Sequence, residues 1–359
     1  MTRLARTIII SLPKRFFSAL TSIKGFKYDN QESLMKEWKR MVFFPIKKNG
    51  FALLEPTYQT PDPSIQLAEL IGNIQLNHYT NENGFSLICG ESKNTKDLNS
   101  TLHFLPHTDG HYLNSVFQSN DKFFSLDPPR LILLQCLISN NSGGESLLYD
   151  AQKSLVSFLK EDINKAVILF NTFMTIMRHD ILCANVPILK QFDKNRFSIR
   201  YSYDNNLIIN LEIDQVLKEF NSHVEKSLIL NQKLLPNQIL LIDNTRMLHG
   251  RKNFTGERVF KRIWVAEGAK ELSRAKIKEK MYVSSKSSGK SPIEPYNKYR
   301  LLKLDTRFPR SVETGIVLPK KYYSRLFQPA NNLKKPEICD EKMPTQLDNQ
   351  NDKNRPFSI

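Results

Sequence analysis

The chain has 359 residues and a mass of 41.7 kDa, enough to bury the core of one large domain or two ordinary ones. Its 40% hydrophobic and 25% charged composition is ordinary for a globular protein, and no apolar run has bilayer-spanning length, which excludes an integral membrane protein. Cys89, Cys136, Cys183 and Cys339 lie far apart with no C-x-x-C pair, which excludes a disulfide scaffold or a cysteine zinc site and favours a reducing compartment.

The net charge of +16 is concentrated at the ends. Residues 1–30 carry +5, residues 270–359 carry +10, and the interval 31–269 only +1. A near-neutral body of enzyme size with basic flanks is therefore expected, not a body built to bind nucleic acid. The first 28 residues contain no acid, and Leu4, Ile8, Leu12, Phe16 and Leu20 recur every fourth position. That spacing gathers them on one helical face, interrupted by Pro13. Such a segment is an organelle transit peptide, a helix lying on an anionic membrane surface, or a helix packed on its own domain. The protein is expected in the cytoplasm, or in mitochondria if its source is eukaryotic.

From residue 32 the pattern becomes globular. It predicts a short helix over 33–41, a turn at Asn49-Gly50 and a strand over 50–54. The nearly continuous apolar run 130–138 predicts a strand buried on both faces. Gly143-Gly144 turns the chain into 146–149, read as the hairpin partner of that strand. Helices are expected over 153–170 and 213–230, with strands over 196–203, 238–243 and 259–266. Beyond Gly268 come a charged helix over 270–280, a flexible linker over 284–291 and a disordered tail over 336–359. Strands dominate and two helices are inserted, which points to an antiparallel barrel or jelly roll.

His103, His107 and His111 cluster around Asp109. His107 and Asp109 are two apart, so on a strand they share a face and offer an imidazole and a carboxylate to a divalent metal. A third ligand would complete a facial triad that leaves positions open on Fe(II). The strand over 238–243 turns and presents His249. Arg258 and Arg262 follow, four apart and on one face of the next strand, and a buried guanidinium there needs an anion such as a carboxylate.

Five segments fall in one order: Pro106-His107-Thr108-Asp109-Gly110, Pro128-Pro129-Arg130, Gly143-Gly144-Glu145-Ser146, Asp243-Asn244 through His249-Gly250-Arg251, and Arg258 with Arg262. Together they resemble the taurine dioxygenase-like branch of the Fe(II)/2-oxoglutarate-dependent oxygenases, which includes clavaminate synthase-like and γ-butyrobetaine hydroxylase-like enzymes. The resemblance covers roughly residues 40–268. It implies a mainly β fold with inserted helices, a clavaminate synthase-like double-stranded β-helix (jelly roll), as an oxygenase domain over 31–268. Residues 1–30 and 269–359 are then a basic N-terminal segment and a basic, partly disordered extension.

The resemblance also implies the chemistry. His107, Asp109 and His249 would bind Fe(II). Arg258 would hold the distal carboxylate of 2-oxoglutarate with help from Ser146, where the family often has Thr, and Arg262 would lie beside it near the substrate. The interval from His249 to Arg258 is short for the family, which leaves open which arginine grips the cosubstrate. O2-dependent hydroxylation or desaturation of a small, anionic or amino-acid-like substrate is expected, with succinate and CO2 as coproducts. Because Asp109 is a carboxylate, the chloride position of halogenases is absent.

His103, Arg262 and Arg200 are the substrate candidates, although a surface salt bridge is the plainer role for Arg200. Arg246 and Arg251 read as structural residues, His111 as a polar neighbour of the site, and Cys136 as inert core. His78, His179 and His223 read as ordinary surface or helix residues. The competing expectation is an inactive scaffold whose basic termini contact an acidic partner, a membrane surface or nucleic acid. Recognition of a nucleic-acid sequence is not expected, because the charge is terminal and no basic, aromatic-interleaved patch adjoins the site.

Overall fold

Strands buried on both faces need apolar residues at nearly every position, and two such runs, beside a third strand that carries Lys261 and Arg262, form the middle of the larger sheet. In the computed structural model these are Leu131–Ile138, Ile239–Asp243 and Val259–Ala266. The sheet has seven strands in the order Phe26–Tyr28, Phe51–Pro56, Ile239–Asp243, Leu131–Ile138, Val259–Ala266 and Asn73–Ile74, with Ser86–Cys89 also paired to Val259–Ala266. The structure describes residues 23–57, 62–77, 79–90, 101–113, 115–119, 122–140, 142–171, 173–178, 181–193, 196–203, 207–208, 211–266, 270–271, 312–319 and 322. The expected helix over residues 4–20, the linker, the tail, His78 and His179 lie outside them.

Alternation along the three central strands sorts their side chains between two cores. Leu131, Leu133, Ile239, Leu241, Ile263 and Val265 face outward, onto a layer that includes Leu34, Val42, Ile46, Leu67 and Ala68. Ile132, Cys136, Leu240, Ile242, Phe260 and Trp264 face inward, toward a four-stranded sheet. That second sheet has the order Leu228–Gln232, Ser146–Asp150, Met247–Arg251 and Phe104–His107. Helices Ala151–Glu161, Ile163–Asn171 and Leu211–Glu225 contribute Phe158, Leu169 and Phe220 to the same core. Two mainly antiparallel sheets over one core, with helices inserted between strands, form the expected jelly roll.

The structure corrects several sequence expectations. The strand Ser146–Asp150 is not the hairpin partner of Leu131–Ile138. It joins the opposite sheet, between Leu228–Gln232 and Met247–Arg251. Gly143 and Gly144 make this crossing with φ of 73° and 72°, a left-handed conformation that favours glycine, and a Cβ on Gly143 would strike the Asn253 carbonyl oxygen.

The helix expected over 153–170 is two helices, broken at Asp162. The Asp162 carboxylate accepts from Asn164 N at 2.9 Å and Lys165 N at 3.1 Å, so it caps the second helix instead of continuing the first. The helix expected over 213–230 ends at Glu225, and Leu228–Gln232 is a strand. Residues 33–41 divide between Gln31–Lys36 and a π-helical turn, Lys39–Phe43. The charged helix expected from Lys270 opens instead as the strand Lys270–Glu271, paired with Phe124 and Ser125.

Both expected domain boundaries move. Phe26–Tyr28 pairs in parallel with Leu54, Glu55 and Pro56, so the body begins before residue 31. Ile316–Val317 pairs with Arg196 and Phe197. Thr314, Ile316, Leu318 and Tyr322 are buried, and the Gly315 N–H donates to Asp243 Oδ2 at 2.7 Å. Part of the C-terminal extension is thus packed into the core. No helix among the described residues is long and apolar enough to cross a membrane.

Candidate active site

Directly opposite residues on antiparallel strands place their side chains on one face. His107 ends the strand Phe104–His107, and its register partner on Met247–Arg251 is His249. The two rings lie 4.2 Å apart between centroids. Asp109 reaches them differently from the expected strand alternation, because the strand stops at His107. The chain turns through Thr108, whose N–H donates to Tyr201 O at 2.8 Å, to Gly110 with φ of 67°. Asn244 fixes the Asp109 backbone from both sides, accepting from its N–H at 2.8 Å and donating to its carbonyl at 3.0 Å. Asp109 Oδ1 then lies 3.6 Å from His107 Nε2 and 3.7 Å from His249 Nε2.

One ligand atom from each of His107, Asp109 and His249 falls within 4.8 Å of the others, and all three residues are buried. His107 Nδ1 donates to Leu105 O at 2.9 Å, which leaves Nε2 with its lone pair turned inward, the tautomer a metal ligand needs. Burial, then the neighbouring His249, pushes the His107 pKa down to about 4, so this imidazole is neutral over the physiological range. Burial alone would raise the Asp109 carboxyl; Arg262, His107 and His249 outweigh it and hold the group well below the usual carboxylate range. Two imidazoles and an ionised carboxylate that converge within 4.8 Å fit a divalent iron site.

The two arginines, Arg258 just before the strand Val259–Ala266 and Arg262 within it, are used differently. Arg262 Nη1 lies 3.1 Å from each Asp109 oxygen, and Trp264 Nε1 donates to Asp109 Oδ2 at 2.7 Å. Arg258 pairs with no carboxylate among the described residues. Its guanidinium carbon lies 3.7 Å from the centroid of the Phe260 ring, and its Nε is buried without a hydrogen-bond partner. Burial and then Arg251 push its pKa down to about 9. A buried cation in that condition calls for an anion.

A pocket with about 480 Å³ of empty space, counting solvent at its mouth, joins the triad to these cations. Ser146, Arg251, Arg258 and Arg262 line it beside His107 and His249, and Ile88, Phe104, Leu134 and Phe260 supply apolar wall. Ser146 lies opposite Arg251 in register.

His103 is exposed and off this pocket. Arg200 is also off it and buried, joined to Asp127 at 3.2 Å and to the Leu113 carbonyl at 2.9 Å. His111 is buried and donates to Thr108 O at 2.8 Å. Arg246 ties its turn to Asp150 at 2.7 Å. His223 sits between Ser157 and Glu161. The Cys136 thiol is pushed up to about 11 by burial, which leaves it inert.

Three contributions were not read from the sequence: the Asn244 brace, the Trp264 bond and the presence of Arg251 in the pocket. Trp264 was within reach, since it lies two residues from Arg262 and so shares its face.

The model of the family described as "Taurine catabolism dioxygenase TauD, TfdA family" matches residues 17–264. Mitochondrial trimethyllysine dioxygenase of Rattus norvegicus is 30% identical over 155 residues, 38% of this chain and 37% of that protein. The Homo sapiens protein is 27% identical over 155 residues with the same coverages. The matched segment thus spans little more than a third of these relatives. Among solved structures, an asparagine oxygenase superposes with a TM-score of 0.49 at 14% identity, covering 66% of this chain and 77% of that one. The non-heme iron oxygenase OrfP, in complex with Fe and alpha-ketoglutaric acid, gives 0.48 at 13% identity, covering 70% and 82%. The chain belongs to the TauD/TfdA family, whose members are dioxygenases that use Fe(II), 2-oxoglutarate and O2.

Proposed function

We propose that this protein is an Fe(II)- and 2-oxoglutarate-dependent dioxygenase that hydroxylates or desaturates a small, anionic or amino-acid-like substrate. The observation that carries the reading is three metal-ligating atoms within 4.8 Å of one another, beside a pocket that holds a buried arginine paired with no carboxylate among the described residues. His107, Asp109 and His249 hold the iron. When bound, iron and 2-oxoglutarate let O2 oxidise the substrate, and 2-oxoglutarate leaves as succinate and CO2.

Arg258 pairs with the far carboxylate of 2-oxoglutarate, with Ser146 beside it. Arg262 is committed to Asp109, which favours Arg258 for this role. Phe104, Leu134 and Phe260 keep that end of the pocket dry, so the guanidinium–carboxylate pair acts in a low dielectric. Arg251 gives the pocket a further cation and supports an anionic group on the substrate. The acid-free first 28 residues set the location: mitochondrial where they act as a presequence, cytoplasmic where they do not.

The test supplies purified protein with Fe(II), ascorbate, 2-oxoglutarate and a panel of amino acids and betaines. Trimethyllysine goes first, because the relatives are named for it. Substrate-dependent succinate release is expected, falling to background in His107→Ala and Asp109→Ala. Undiminished turnover by iron-free His107→Ala would refute the assignment.

A further inference from the structure

Asn244 fixes the backbone of Asp109, but the carboxylate could still swivel about its own bond. Two side chains oppose that. Trp264 Nε1 donates to Oδ2 at 2.7 Å, and Arg262 Nη1 sits 3.1 Å from both oxygens, leaving Oδ1 as the atom nearest both imidazoles. Both clamp residues are buried, at 4% and 3% exposure, and the Arg262 guanidinium lies 5.2 Å from the Trp264 ring centroid. They stand two apart on a strand paired along its length to Leu131–Ile138, which fixes the backbone that carries both.

We propose that Arg262 and Trp264 are positioning residues that restrict Asp109 to a one-oxygen ligand. The inference rests on the iron-site reading above. Its chemical point is a count of positions. Three protein ligands that take one position each leave three on a six-coordinate ion, two for a chelating cosubstrate and one for O2. A carboxylate gripping through both oxygens takes a fourth position and competes with the cosubstrate. The indole N–H prevents this by occupying Oδ2. Arg262 also draws charge from the carboxylate, so the clamp works against metal affinity and in favour of an open coordination sphere.

The test uses Co(II), which binds in place of iron without turnover, on the full-length protein and on Trp264→Phe and Arg262→Lys. Trp264→Phe removes one N–H at a position that does not line the pocket. Co(II) dissociation constants come from visible titration, and 2-oxoglutarate dissociation constants for each Co(II)-loaded protein from anaerobic calorimetry. Expected are Co(II) binding within threefold of the unsubstituted protein or tighter, 2-oxoglutarate binding at least tenfold weaker, and an altered visible Co(II) spectrum before cosubstrate is added. If 2-oxoglutarate binding stays within twofold, the clamp does not control ligation. A parallel tenfold loss of Co(II) overturns the proposal too, because the pair would then hold the site together and not set its ligation mode. Should Trp264→Phe not fold, Arg262→Lys decides by the same two constants. Failure of the unsubstituted protein to bind Co(II) would sink the iron-site reading itself.

Discussion

Replacing Arg258 by Gln separates its two roles, as an anion receptor and as a burden on the empty fold. Arg258 is 5% exposed and faces Phe260 and Phe254 with no acid partner among the described residues. Truncating one partner of a buried, hydrogen-bonded charge pair costs about 2–5 kcal/mol. The pocket is open on one side, so about 3 kcal/mol is expected, roughly a hundredfold in the KM for 2-oxoglutarate at 1.4 kcal/mol per decade. Succinate release against 2-oxoglutarate concentration measures it. At saturating cosubstrate kcat should stay within a few-fold, because the interaction is the same in ground and transition states. The ligand-free variant should melt at the same temperature as the parent or a few degrees higher, since an uncompensated buried charge is gone. A KM within threefold of the parent would refute the role of Arg258, and a large drop in melting temperature would show that it is a structural residue.

The His107 imidazole, lowered from 6.5 to about 4, makes the metal-free protein acid-sensitive. The unfolded chain takes up a proton at this residue near pH 6.5 and the folded one only near pH 4, so stability falls as pH drops through that window. The loss is about 3 kcal/mol at its lower end. Thermal melts of His107→Gln across pH 4–7 should show a flatter profile than the parent; equal slopes would exclude the residue as the cause. Ile316→Ser should destabilise the protein by about 2–4 kcal/mol through a cavity and a buried hydroxyl, read by chemical denaturation. A change under 0.5 kcal/mol would mean that the C-terminal strand is not part of the cooperative core.

The jelly roll was legible because its central strands are written as near-continuous apolar runs, which only a sheet covered on both faces tolerates. His107 and His249 were legible as a pair only through the motif resemblance. Their meeting depends on a register, His107 opposite His249, that 141 intervening residues set jointly. The partner of Ser146–Asp150 was misread because a Gly-Gly turn looks like a hairpin locally, while its left-handed backbone here carries the chain to the other sheet. Asp162 was missed as a helix boundary because the apolar spacing runs on through it, and the capping preference of a single carboxylate is a weaker signal than periodicity. The roles of Arg258 and Arg262 could not be divided by spacing alone. Both face inward, and only the distance to Asp109 tells them apart.

The strand Ile316–Val317 belongs to the core yet follows the family-matched region by some fifty residues. Asp243, next to the Asn244 that braces Asp109, receives one of its hydrogen bonds from Gly315. On the ribosome, every metal-site residue therefore emerges well before the segment that finishes its support. A nascent chain halted after residue 266 would carry His107, Asp109 and His249 while Asp243 still lacked the Gly315 donor.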